Sequence, residues 1–223
     1  MIQHFSKALI GILSIGMLAS CAKQSGAPGT DSTAAGGGGN VAASVEHGRY
    51  LVKTTGCGDC HTPWTMGPQG PMQDMTKMLS GHPAGVRIPG AAPMAPPWMA
   101  GIDMTFTAFS GPWGVSFAAN LTPDSATGLG AWSQQQFIQA LRTGKDKGTG
   151  RQILPPMPWP AFSNMTDNDL ASIYMYLRTI PPISNEVPNP MEPLPGTPGT
   201  PGGPPMPPGA GMAPPMPHGA PHK

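Results

Sequence analysis

The sequence predicts an all-α domain of few helices, with a long irregular insertion inside it and disordered tails on both sides. Three stretches place apolar side chains at helical spacing and carry helix start or stop signals. Gly and Pro, with 31 residues each among 223, together exceed a quarter of the chain and dominate segments near its two ends. Because such segments cannot bury a core, residues 44–185 are expected to form the folded domain.

The low charge of the chain argues against one class of partner. Only 10% of the residues are charged, and the formal net charge is +1. Proteins that bind nucleic acids carry clustered Lys and Arg side chains. No nucleic-acid partner is therefore expected.

Residues 1–20 have the pattern of a bacterial lipoprotein signal peptide. Lys7 supplies a positive charge, and the apolar run 8–19 is too short to span a bilayer. The run ends in Leu18-Ala19-Ser20-Cys21, which resembles a lipobox. The resemblance implies that Cys21 carries the lipid anchor of a protein in the cell envelope, attached to a membrane and facing the periplasm. The alternative is ordinary signal cleavage that leaves Cys21 as a free thiol.

Two low-complexity segments flank the predicted domain. Residues 21–43 are rich in Gly, Ala, Ser and Thr and are expected to form a flexible linker. Residues 186–223 consist largely of Pro, Gly and Met, which predicts a disordered tail with polyproline character. A spacer role is favoured for the tail, and copper binding is the alternative, because its soft or borderline ligands are Met206, Met212, Met216, His218 and His222.

The first helix is predicted over residues 44–54. Ser44 is a suitable N-cap, and Val45 and Leu51 belong to an apolar face at helical spacing. A glycine inside a helix costs up to ~1 kcal/mol relative to alanine. Close packing at Gly48 is the expected compensation, and the alternative is a glycine that is tolerated at the surface.

The stretch Cys57-Gly58-Asp59-Cys60-His61 reads C-x-x-C-H, the attachment motif of a c-type haem. Two cysteines one helical turn apart present both sulfurs on one side, where they can form thioethers, and His61 can then reach the iron. A thioredoxin-like redox pair needs a βαβ context, and a zinc site needs further Cys or His pairs at short spacing. The sequence shows no βαβ pattern. No cysteine follows Cys60, and the third cysteine of the chain is Cys21.

Residues 62–119 form a long insertion with little helical periodicity. Pro and Gly interrupt it repeatedly, as in Met66-Gly67-Pro68. Irregular segments of this length are usually functional or disordered. Four aromatic residues argue against disorder; these are Phe106, Phe109, Trp113 and Phe117. We expect the insertion to cover one side of the haem, with Met72, Met75 and Met78 filling gaps.

The next motif carries a resemblance to a known family. Asn120-Leu121-Thr122-Pro123-Asp124, followed by Thr127-Gly128-Leu129-Gly130 and Trp132-Ser133, is similar to the haem domains of membrane-associated dehydrogenase cytochrome subunits. With the C-x-x-C-H motif, it resembles class I c-type cytochromes. The resemblance implies a cytochrome c fold, with few helices around one covalently bound haem c. It also implies that Gly48 contacts an aromatic residue of the last helix, Tyr174 or Tyr176.

Two further helices are predicted from their caps. Ser133 and Gln136 make a capping box, and Gly144 ends that helix. Thr166 caps the last helix, and Pro181-Pro182 stops it.

Met157 is the predicted sixth ligand of the iron. The resemblance places an axial methionine between the last two helices, and Met157-Pro158-Trp159 lies at that position. His82 is the main rival, because an insertion of this size could deliver it to the iron; bis-histidine ligation would lower the reduction potential. His47 is expected near the surface without ligating the iron.

The predicted function is that of a mono-haem cytochrome that carries single electrons between redox protein partners. No catalysis is expected, because His61 and Met157 fill both axial positions. Two alternatives are an electron-accepting cytochrome subunit of a membrane-bound dehydrogenase and an envelope lipoprotein that binds copper through its tail. A haem enzyme or gas sensor would require an open sixth position.

Overall fold

A computed structural model describes residues 42–94 and 97–197. The predicted signal peptide, Cys21, nearly all of the linker 21–43 and the tail from residue 198 onwards lie outside the described residues. Within the described ranges, no helix is long and apolar enough to cross a bilayer.

Five α-helices lie within the described residues. They are α1 (Val45–Thr54), α2 (Cys57–His61), α3 (Gln134–Thr143), α4 (Trp159–Phe162) and α5 (Asp167–Leu177). Single turns of 3-10 helix occur at Met75–Lys77 and Asp146–Gly148. The apolar faces of α1, α3 and α5 enclose most of the core, in which Leu170 and Leu177 are almost completely buried.

Two small antiparallel sheets lie within the insertion. In the first sheet, β1 (Trp64–Gly67) pairs with β2 (Gly70–Gln73). The second has the order β3-β4-β5, from Gly101–Ile102, Ala108–Gly111 and Gly114–Phe117.

The prediction of an all-α fold with an irregular insertion is wrong, because residues 62–119 contain these two sheets. Two-residue connections join β1 to β2 and β4 to β5, and each hairpin closes on a Gly–Gly pair. Gly70 and Gly114 adopt φ values of 116° and 92°, which side chains other than glycine rarely tolerate. Some of the glycines that suggest irregular chain, namely Gly67, Gly70, Gly111 and Gly114, therefore mark tight hairpins.

The predicted helix caps are confirmed. Ser44 accepts a hydrogen bond from the backbone N–H of His47, and Ser133 with Gln136 forms a complete capping box. Gly144 ends α3 with a φ of 66°. Thr166 caps α5 in a second capping box, whose acidic partner is Asp169.

Gly48 lies at the crossing of α1 and α5, as predicted. A Cβ atom at this position would lie 1.8 Å from the carbonyl oxygen of Ser172 and 2.9 Å from Cβ of Tyr176. Tyr176 is thus the aromatic partner, whereas the hydroxyl of Tyr174 donates a 2.6 Å hydrogen bond to the carbonyl of Trp132. The absence of a side chain at Gly48 lets the two helix backbones touch.

Ordered contacts continue beyond residue 185, the predicted end of the domain. Val115 and Met191 exchange two backbone hydrogen bonds of 2.9 Å. Residues 186–190 lie along the edge of the cavity described below. The start of the Pro-rich segment is therefore packed beside β5.

Candidate haem site

A cavity of about 640 Å³ lies between the helices and the second sheet. Ligand pockets in proteins commonly measure ~300–1,000 Å³. Cys57, Cys60, His61 and Met157 all line this cavity. The structure thus brings together four predicted site residues that are separated by up to 100 positions in the chain.

The two cysteines reach the cavity from α2. They are one helical turn apart, and both are free thiols. Burial raises the pKa of Cys57, and the hydrogen bond with Thr55, which lowers it, offsets this only in part. Burial, followed by the charge of Asp59, raises the pKa of Cys60. Both side chains line the same cavity.

His61 lines the cavity, and one of its two ring nitrogens is held by a hydrogen bond to the backbone. Its side chain is buried, and Nδ1 lies 2.7 Å from the carbonyl oxygen of Ala119. Since a carbonyl only accepts, Nδ1 carries the proton. Burial lowers the pKa of His61, and the hydrogen bond to Ala119 offsets this only in part. The result is a neutral imidazole whose Nε2 keeps its lone pair, as a metal ligand requires.

Met157 lies in the loop before α4 and packs against the core. Its carbonyl accepts a 2.9 Å hydrogen bond from the backbone N–H of Trp159, and the ring of Trp159 lies against Gly144. On the other side, the Ser116 hydroxyl donates to the carbonyl of Pro155. The loop is therefore fixed from α3 and from β5.

The walls of the cavity are mostly apolar. Phe109 and Phe117 come from the second sheet, and further apolar side chains come from α3, α4, α5 and the segment before α3. These include Leu129, Trp132, Phe137, Leu141, Phe162, Ile173 and Leu177. Charged groups are few and include Asp59, Asp146, Arg151 and Glu186. An apolar cavity with two thiols, an imidazole and a thioether fits a covalently bound haem c in size and donor chemistry.

His82 and His47 do not line the cavity. Nδ1 of His82 lies 2.8 Å from the Thr107 hydroxyl, and Nε2 lies 2.9 Å from the carbonyl of Val86. The His82 imidazole is fully buried with both nitrogens engaged, so it is placed as a structural group. Nε2 of His47 lies 2.7 Å from the Asp169 carboxylate.

The three methionines predicted to fill gaps in the insertion divide into two groups. Met78 packs against the core, as predicted for a gap-filling side chain. Met72 and Met75 are 50% and 59% exposed, so the same prediction is wrong for them. Within residues 42–94 and 97–197, no cluster of three or more His, Cys, Asp or Glu side chains is arranged to hold a metal ion. The tail residues considered for copper lie outside these ranges.

Sequence reasoning missed three contributors to the site. The carbonyl of Ala119 and the hydroxyl of Ser116 belong to residues without a motif of their own, and residues 186–190 fall in the predicted disordered tail. Only one signal was available, namely that Ala119 directly precedes the Asn120 motif.

Comparisons with known proteins agree with a cytochrome site, although no family model matches the chain. The fructose dehydrogenase cytochrome subunit of Gluconobacter japonicus is 37% identical over 153 residues, which are 68% of this chain and 24% of that protein. The gluconate 2-dehydrogenase cytochrome c subunit of Pantoea cypripedii is 28% identical over 134 residues, 60% of this chain and 22% of that protein. A nicotinate dehydrogenase subunit of Pseudomonas putida is 38% identical over 77 residues, 34% of this chain and 6% of that protein.

The chain thus spans at most about a quarter of the length of these three relatives. Two of them are cytochrome subunits of dehydrogenases, as is the alcohol dehydrogenase (quinone) cytochrome c subunit of Gluconobacter oxydans, which is 25% identical over 134 residues. These similarities support a cytochrome c domain in this chain, with a role in electron transport.

Proposed function

We propose that this chain is a mono-haem c-type cytochrome that carries single electrons between redox protein partners in the cell envelope. The observation that carries the proposal is that Cys57, Cys60, His61 and Met157 line one apolar cavity. The similarity to cytochrome subunits of dehydrogenases supports the coarser role of an electron-transfer cytochrome.

Each of the four side chains has a distinct task in this proposal. Cys57 and Cys60 bind the cofactor through thioethers, which hold it permanently. His61 ligates through Nε2, because Nδ1 is committed to Ala119. Met157 ligates from the loop before α4. A haem bound here would supply a one-electron iron couple.

The surrounding residues tune the site. The apolar walls exclude water, and a methionine opposite a histidine raises the reduction potential of iron. His61 and Met157 would both ligate the iron of a haem bound here, which would leave no position for a substrate. We therefore assign no catalysis to this chain.

A second candidate function is that of an electron-accepting cytochrome subunit of a membrane-bound dehydrogenase. The relatives named as dehydrogenase cytochrome subunits favour it. Isolation of the tagged protein from its native membranes separates the two functions. A stable complex with a dehydrogenase favours the subunit role, whereas an isolated cytochrome favours the carrier role.

The proposed location rests on the sequence pattern of residues 1–21. Lipidation at Cys21 would anchor the domain to a membrane, facing the periplasm. Metabolic labelling with a radioactive fatty acid should mark the wild-type protein but not Cys21→Ser. Equal labelling of both proteins would contradict the assignment.

The ligation of the iron is tested by optical spectra of the oxidised and reduced protein. We expect a low-spin spectrum with the methionine–iron(III) charge-transfer band in the wild type and its loss in Met157→Ala. Met165→Ala is the matched control, because Met165 packs against the same core without lining the cavity. A wild-type protein that is high-spin, or a Met157→Ala spectrum identical to wild type, would refute the assignment.

A further inference from the structure

The insertion makes polar contacts with both segments that carry the proposed axial ligands. The carbonyl of Ala119 holds the ring of His61, and the hydroxyl of Ser116 holds the carbonyl of Pro155, two residues before Met157. Ser116 lies three positions before Ala119, so one short stretch reaches both sides of the site. Nothing in the sequence motif of the haem site requires this stretch.

Ser116 is held rigidly enough to act as an anchor. It lies in β5, opposite Phe109 of β4, and the preceding residue Val115 pairs with Met191 on the other side of the strand. Ser116 is only 7% exposed and lines the cavity. Its hydroxyl is much closer to the Pro155 carbonyl than to the Phe109 carbonyl, which lies 3.4 Å away.

The loop that carries Met157 depends on such an anchor. Pro155, Pro156 and Pro158 have no backbone N–H, so at these positions the chain cannot donate a hydrogen bond to the rest of the protein. It can be fixed there only through its carbonyl groups and through packing. The hydroxyl of Ser116 supplies a donor to one of these carbonyl groups from within a paired strand.

We propose that Ser116 is a positioning residue that keeps the Met157 thioether in place as the sixth ligand. This inference rests on the proposed function, because it requires Met157 to ligate the iron. Ser116 itself does not touch the iron in this proposal. The insertion then has a defined task, which is to set how readily Met157 is displaced.

Displacement of Met157 by carbon monoxide in the reduced, haem-loaded protein measures this role. Loss of one buried hydrogen bond should raise the affinity for carbon monoxide roughly tenfold in Ser116→Ala. The methionine–iron(III) charge-transfer band of the oxidised protein should weaken in parallel. Ser116→Thr keeps the hydroxyl and suits a strand, so it should retain the wild-type affinity.

Ser110→Ala is the matched control. Ser110 is 9% exposed in the neighbouring strand β4, and its hydroxyl accepts a 2.8 Å hydrogen bond from the backbone N–H of Ala92. It does not line the cavity. This variant should lose a comparable hydrogen bond while leaving carbon monoxide affinity within about twofold of wild type.

The outcomes separate this inference from the proposed function. If wild type shows methionine ligation and Ser116→Ala binds carbon monoxide as wild type does, the inference fails and the proposed function stands. Equal increases in Ser116→Ala and Ser110→Ala, or a Ser116→Thr protein that behaves like Ser116→Ala, would also overturn it. A wild-type protein without methionine ligation removes the proposed function itself.

Discussion

Gly48→Ala should destabilise the domain by separating α1 from α5. The new Cβ atom would lie 1.8 Å from the carbonyl oxygen of Ser172 and 2.9 Å from Cβ of Tyr176. The nearer of these is a backbone atom of a packed helix, so it cannot rotate away. The helices must move apart by roughly 1 Å or more to reach ordinary van der Waals contact.

Three effects determine the expected change in stability, of which two are destabilising and one is stabilising. Overpacking of a close contact costs ~1–3 kcal/mol. The 3.0 Å hydrogen bond from the backbone N–H of Ser44 to the Ser172 hydroxyl is strained by the same movement, which adds ~1 kcal/mol. Replacing glycine by alanine inside a helix returns ~1 kcal/mol. The free energy of unfolding should therefore fall by about 2 kcal/mol, which lowers the melting temperature by roughly 4–8 °C.

Denaturant titration of the haem-loaded protein, followed by far-ultraviolet circular dichroism, measures this loss. Gly85→Ala is the control, because no atom lies within 4 Å of the position that its Cβ atom would take. That variant should stay within about 0.5 kcal/mol of wild type. A Gly48→Ala protein as stable as wild type would show that α1 and α5 do not touch at this point.

Two further predictions concern the insertion. His82→Ala should leave the visible spectrum unchanged. It should lower the free energy of unfolding by ~2–4 kcal/mol, because it removes a buried ring that is hydrogen-bonded to Thr107 and Val86. A changed spectrum would indicate that His82 is a ligand. Burial raises the pKa of Asp103, but hydrogen bonds from Thr105, Ala108 and Thr107 outweigh it and bring that pKa below its ordinary value. The ionised carboxylate therefore stabilises the fold above the unfolded-state pKa, and this stability is lost as the pH falls through the folded-state pKa. Denaturant titrations should show a larger deficit for Asp103→Asn at about pH 7 than at about pH 3, and equal deficits would refute this.

The parts of the fold that were predicted correctly depend on short-range interactions. The caps at Ser44, Ser133 and Thr166 each join residues three positions apart, so they can be read directly from the chain. The C-x-x-C-H motif is local in the same sense. The prediction for Gly48 needed a family resemblance, because its partner Tyr176 lies in another helix.

The sheets could not be predicted in the same way. Their strands contain only two to four residues, which is too few to show a clear alternation of apolar and polar side chains. Glycine and proline are typical of irregular chain, but they also mark tight turns. Only pairing between strands distinguishes the two cases.

By itself, the sequence determined which four side chains are proposed to hold a haem, namely Cys57, Cys60, His61 and Met157. The tertiary structure alone decided how the two proposed axial ligands are held, since His61 bonds to Ala119 and the Met157 loop bonds to Ser116. His61 and Ala119 are 58 positions apart in the chain, and Ser116 and Pro155 are 39 positions apart. Ala119 contributes only its backbone carbonyl. Such contacts arise when separate segments pack together, so no local pattern of residue types encodes them.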